Sequence, residues 1–192
     1  MPHAQSSATD LRFQDIAPDV PAPRPRVRLF DVTSRPHNFE DQIVRAEDGS
    51  AFQVDTRYFP LVVLKLPGSP SDIGAKRYYE WLWDMTRYAA AQGQQLVVIN
   101  DFSKAEVPSP VVRKYMAEEA AKIQTHEGFG HWIPILPNKL IRGLATALVW
   151  MSGGNEKKQA HFTGTFVEAI EKAQTLAKDL PEVDAKTYVF PD

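Results

Sequence analysis

The sequence predicts one α/β domain over residues 50–180, in which a mixed, mainly parallel sheet is covered by helices. Short apolar runs at Leu61 to Leu66 and Leu96 to Ile99 alternate with longer stretches of helical periodicity, and that alternation implies parallel crossovers. The run Leu61-Val62-Val63-Leu64-Lys65-Leu66 is apolar at almost every position, as a central strand covered on both faces requires. The length is also sufficient, because a domain of roughly 130 to 150 residues buries about two thirds of its unfolded surface and folds without a staple.

Ala51 to Asp55 alternates as a half-buried strand does, and Thr56-Arg57-Tyr58 turns it into the next strand, so the pair reads as a hairpin. Pro67-Gly68-Ser69-Pro70 ends that hairpin. Between Asp72 and Gln92, Tyr78, Trp81, Leu82, Met85 and Ala89 recur at helical spacing, with Gly93 as the stop. Leu96-Val97-Val98-Ile99 is the next strand, and Asn100-Asp101 closes it. Ser109-Pro110 offers an N-cap with proline at the first helical position, ahead of Val112, Tyr115, Met116, Ala120 and Ile123 on one face. Trp132 to Leu136 reads as a strand whose Pro134 demands an edge or a bulge. Asn138 caps a helix expected through Met151, closed by Gly153-Gly154. A short run at Gln159 to Phe162 precedes Thr165-x-x-Glu168, the capping box of a last helix to about Lys178.

Outside this domain, residues 1–49 read as a flexible, Pro-rich arm, with strand-like content at residues 27–32 and a polar connector from Thr33 to Asp48. Residues 181–192 form a tail carrying the apolar triplet Tyr188-Val189-Phe190. The 192 residues contain no cysteine, which excludes disulfides and thiolate chemistry and fits a reducing, cytoplasmic setting. A net charge of −2 from 22 basic and 24 acidic residues gives no polybasic face for nucleic acid. No apolar stretch approaches the ~20 residues of a membrane span, and the N-terminus has no secretory pattern.

Residues 51–178 therefore run β-β-α-β-α-β-α-β-α, and this order resembles the STAS fold of anti-sigma-factor antagonists. The apolar second strand, the segment Val97 to Ser103 and the helix start Phe162-Thr-Gly-Thr-Phe-Val-Glu168-Ala169 are similar to features of STAS-like, SpoIIAA-like proteins. The resemblance implies a regulatory module that works by protein contact. In the phosphorylatable antagonists an Asp-Ser-Ser-Gly motif opens the helix after the third strand; here that place holds Val107-Pro108-Ser109-Pro110-Val111, so only one serine is kept. Ser109 is a possible phosphosite by its position at a helix N-terminus. As a residue type, serine before proline is more often simply a cap.

Asn100, Asp101 and Ser103 lie just past a parallel strand, where open α/β sheets place ligands, and are the candidate cleft. The commoner role of such residues is to hold the turn. His126 and His131 are close in sequence but lack a third ligand, so no metal is expected. On the first helix Trp81 and Trp83 point to nearly opposite sides, which leaves Trp83 as a candidate interface residue. Leu144, Leu148, Trp150 and Met151 belong to a helix apolar nearly all round, which implies burial on both sides or self-association.

No catalytic signature accompanies these features. The sequence thus favours a non-enzymatic interaction module without a cofactor, binding a protein partner or itself as a homodimer. The alternative is a small-ligand (nucleotide or lipid) binder or enzyme using the cleft beyond Asn100-Asp101.

Overall fold

The computed structural model describes residues 35–36, 39–66, 68, 70–104, 106–136 and 160–191. The strand expected at 27–32 and the helix expected at 138–151, with Leu144, Leu148, Trp150 and Met151, lie outside them. The described strands are β1 (Ile43–Arg45), β2 (Ala51–Asp55), β3 (Leu61–Lys65), β4 (Leu96–Asp101) and β5 (Phe129–Ile135); the helices are α1 (Asp72–Ala91), α2 (Pro110–Gln124) and α3 (Phe166–Leu176). They build a five-stranded sheet in the order β1-β2-β3-β4-β5. The first two pairings are antiparallel and the last two parallel, so the mixed, α/β architecture expected from the sequence is present.

Two sequence features set this frame locally. Ser71 caps α1, accepting from the Gly74 N–H at 2.9 Å, and Gly93 ends it at φ 69°, a left-handed conformation that glycine adopts without strain. Pro134 falls in β5 as expected of an outer position. The segment 160–163 joins β5 through His161 N to Trp132 O at 2.9 Å, Thr163 N to Pro134 O at 3.0 Å and Leu136 N to Thr163 O at 2.9 Å. The rung between the first two would need an N–H on Pro134, so the ladder is reduced to isolated bridges at Trp132 and Ile135.

The sheet begins earlier than Ser50. Within the stretch read as a connector, β1 pairs Val44 with Phe52, and Phe39 is buried against the rings of Phe59 and Tyr88, 5.2 and 5.5 Å away. Only Val44 of β1 is buried, between exposed Ile43 and Arg45. A single inward residue leaves too little alternation to read as a strand.

The sheet separates two cores. On one side, α1 packs Tyr78, Tyr79, Trp81 and Met85, and α2 Ala120 and Ile123, onto Val62, Leu64 and Val98. On the other, α3 lays Ala169, Ile170 and Ala173 on Leu61, Val63, Val97 and Ile99, with Val183 and Phe190 of the tail completing that cluster. The tail is held by chemistry as well as burial: Tyr188 Oη donates to Asp55 Oδ2 at 2.9 Å and Arg57 Nη2 to the Val189 carbonyl at 2.8 Å. Lys65 Nζ stands 3.9 Å from the centre of the Phe190 ring. No described helix is long and apolar enough to cross a membrane.

Candidate functional site

The carboxyl ends of β3 and β4 bring the starts of α1 and α2 to the same end of the sheet. The loops that follow the two strands are tied together, Glu106 N donating to the Gly68 carbonyl at 3.0 Å. Ser109 is the N-cap of α2, with Pro110 in the first turn. Its Oγ accepts from the Val112 N–H at 3.3 Å, which is capping chemistry. Ser109 is nevertheless exposed, between Val107 at 66% and Val111 at 72% exposure. Arg113, one turn along, donates from Nη1 to the Pro108 carbonyl at 2.8 Å. The arrangement is a polar serine inside a small apolar rim, on a loop fixed by a helix start.

Asn100, Asp101 and Ser103 are placed differently from one another. β4 runs on through Asp101, and side chains alternate along a strand, so Asn100 faces the α1 side and Asp101 the α3 side. Asn100 is fully buried and donates from Nδ2 to Tyr78 Oη at 2.7 Å. Its Oδ1 and the Tyr79 hydroxyl are buried without a hydrogen-bond partner among the described residues. Asp101 accepts from the Ser103 backbone N–H at 2.8 Å, the turn-holding role, and Ser103 itself is exposed. Burial pushes the Tyr78 phenol up against the opposing bond from Asn100, and burial pushes Tyr79 up as well. Both phenols therefore stay protonated at neutral pH and offer no base.

Trp83 is half-buried. Its Nε1 donates to Glu119 Oε2 of α2 at 3.1 Å, while the His126 ring meets its edge at 5.7 Å and the Arg87 guanidinium stands 5.3 Å from its centre. Bonds from Lys122 and then Trp83 hold the Glu119 carboxyl below its usual range. The indole thus ties α1 to α2. His126 accepts from the Gly128 N–H at Nδ1, 3.1 Å away. His131 lies beside His161, with ring centres 5.7 Å apart. Among the described residues no group of three or more His, Asp or Glu side chains is placed to hold a metal.

Two pairings escape a reading of the sequence. The Tyr78–Asn100 bond joins residues 22 apart, with only the unusual burial of an asparagine as a signal, and Asp55 finds Tyr188 at a separation of 133.

No protein-family model and no curated protein matches this chain. Among solved structures it is similar to an anti-sigma factor antagonist from Mycobacterium paratuberculosis, with 16% identity, a TM-score of 0.43 and coverage of 68% of this chain and 99% of that one. It is also similar to an uncharacterized protein with a SpoIIAA-like fold from Shewanella loihica, with 16% identity, a TM-score of 0.41 and coverage of 68% and 89%. The likeness is one of chain trace, at an identity that carries nothing about activity.

Proposed function

We propose that this chain is a non-enzymatic regulatory module that binds a protein partner through the loop before α2 and the first turn of that helix. The observation that carries this reading is the exposure of Val107 and Val111 around Ser109. Both valines stand on a loop anchored to a helix start, the kind of element on which binding residues concentrate. Ser109 is the regulated position in this reading. A phosphate there would stand at the positive end of the α2 dipole, near the Arg113 guanidinium, and would turn an apolar rim into an anionic one.

A partner captured from a lysate by the wild-type chain, and lost on V107D/V111D with the fold retained, is the expected result. Equal capture by the double variant would overturn the docking face. The switch is tested separately: phosphate found on Ser109, and binding changed by Ser109→Asp, are expected. An unmodified Ser109 together with unchanged binding by Ser109→Asp removes it.

Self-association through the segment 138–151 belongs to the same proposal, because Leu144, Leu148, Trp150 and Met151 leave that segment almost no polar face. Tyr188 and Phe190 are committed to Asp55 and Lys65, which supports a second copy over the tail as the cover for it. Light scattering of the full chain at high concentration is expected to give a dimer mass; a monomer mass would rule this out.

A further inference from the structure

The far end of the tail is held by groups that recognise its chemistry. Tyr188 lies between the rings of Tyr58 and Phe166, whose centres are 6.3 and 5.8 Å from its own, and its hydroxyl donates to Asp55. Arg57 takes the next residue by its backbone carbonyl. Phe190 is buried in the cluster on the α3 face, where the Lys65 ammonium meets its ring at 3.9 Å from the centre, an attraction of cation to ring quadrupole. A hydroxyl, a carbonyl and a phenyl ring are thus bound over three successive residues. The Val189 side chain between them is 73% exposed and is not read.

The receiving groups are built into the sheet. Asp55 ends β2 with its side chain 1% exposed, and Arg57 bonds it through both Nε and Nη2, so the carboxylate keeps a partner when Tyr188 leaves. The near end of the tail is anchored separately, Gln174 Nε2 donating to the Val183 carbonyl at 3.0 Å. Between the two anchors the described bonds are local: Lys186 N donates to Asp184 Oδ1 at 2.9 Å and Thr187 N to the Asp184 carbonyl at 3.2 Å. Asp184, Lys186 and Thr187 are exposed. The far anchor can therefore open while Val183 stays in place.

We propose that the groove formed by Asp55, Arg57, Tyr58, Lys65 and Phe166 is a peptide-recognition site for a partner segment carrying tyrosine and phenylalanine two residues apart, and that the tail is the internal occupant such a segment displaces. The seated tail shows the chemistry that the groove accepts. Tethering gives the tail an effective concentration of millimolar order, so a free peptide competes well only where the tail's own hold is weakened. The site is on the opposite face of the sheet from α2 and does not depend on the docking face around Ser109.

The probe is a synthetic peptide of residues 186–192, Lys-Thr-Tyr-Val-Phe-Pro-Asp, labelled at its N-terminus and titrated against the full chain by fluorescence anisotropy. Wild type is expected to bind it weakly, because its own tail fills the groove. Phe190→Ala in the full chain, with circular dichroism unchanged, should bind at least about tenfold tighter, since apparent affinity follows the fraction of open sites. Tyr188→Phe, which removes only the bond to Asp55, should give a smaller gain and serves if Phe190→Ala does not fold. A peptide carrying both Tyr188→Ala and Phe190→Ala should bind to none of these chains. A tail that only fills the core predicts no saturable binding by a folded variant, and that result would overturn the site, as would equal affinity in wild type and variants. Undiminished binding of the substituted peptide would overturn the part given to the two aromatic residues.

Discussion

The two faces of the sheet are closed by different means. The face under α1 and α2 is packed with large aromatic side chains and contains a buried polar pair, Tyr78 and Asn100. Among the described residues, the opposite face has the eleven-residue α3 and mostly aliphatic contacts, and it takes Val183 and Phe190 from the tail. Two helices tied by Trp83 and Glu119 cover the first face. The second borrows chain from beyond the last helix and fixes it with an ion pair: Arg57 bonds Asp55 from both Nε, at 2.9 Å, and Nη2, at 2.8 Å, and Tyr188 adds its hydroxyl. The lesson is that an irregular tail segment can help complete a sheet face beside a helix, provided that polar bonds fix where it runs.

Removing residues 181–192 breaks that arrangement most directly. The loss of two buried apolar side chains costs on the order of 3–6 kcal/mol, and the midpoint of urea unfolding should fall accordingly; a change below about 0.5 kcal/mol would mean that the tail is dispensable, since that is the scale of an ordinary surface substitution. On the first face, Tyr78→Phe leaves the Asn100 amide unpaired and should cost about 1–3 kcal/mol. The double variant Tyr78→Phe/Asn100→Leu should recover part of that loss, and a strictly additive result would show that the bond is not the source.

Acid sharpens the contrast between the faces, because the fixing charge belongs to the second. Burial raises the Asp55 carboxyl, but its bonds from Arg57 and Tyr188 outweigh burial and the net shift is downward. A carboxyl depressed in the folded state gives stability that is present above its unfolded value of about 3.9 and is lost as pH falls through the lower folded value. Asp55→Asn should therefore flatten the fall of stability below about pH 4, measured by denaturant unfolding across pH.

The smallest effect is expected at His161. Burial first, then Lys172 and His131, lower its pKa, so the unfolded chain takes up the proton first as pH falls below about 6.5. Stability should decline from there down to the folded value and then level off, and His161→Gln should remove that decline.

Much of the fold was legible because its signals are local. Ser109 before its helix, Gly93 after α1, and Thr165, whose Oγ1 accepts from Glu168 N at 3.2 Å, act within a few residues of themselves. The hairpin β2–β3 and the apolar β4 follow from period and composition. β1 was hidden by having one inward residue. Asn100 and Asp101 read as a loop because polar residues rarely end a covered strand; β4 keeps them because Tyr78 on α1 accepts a bond from Asn100 and the Ser103 turn donates one to Asp101. The exposed apolar rim at Ser109 was half legible: the serine is in the sequence pattern, but the exposure of Val107 and Val111 is not.

The sequence by itself determined the α/β class, the β-β-α-β-α-β order over residues 51–136 and the caps at Ser109 and Thr165, since each depends on neighbours along the chain. Only the tertiary structure decided that the sheet starts at β1, that Asn100 and Asp101 face opposite layers, and that Tyr188 bonds Asp55 across 133 positions. Those outcomes depend on which side chains meet in space, and the pattern of a linear chain carries no distance between residues so far apart.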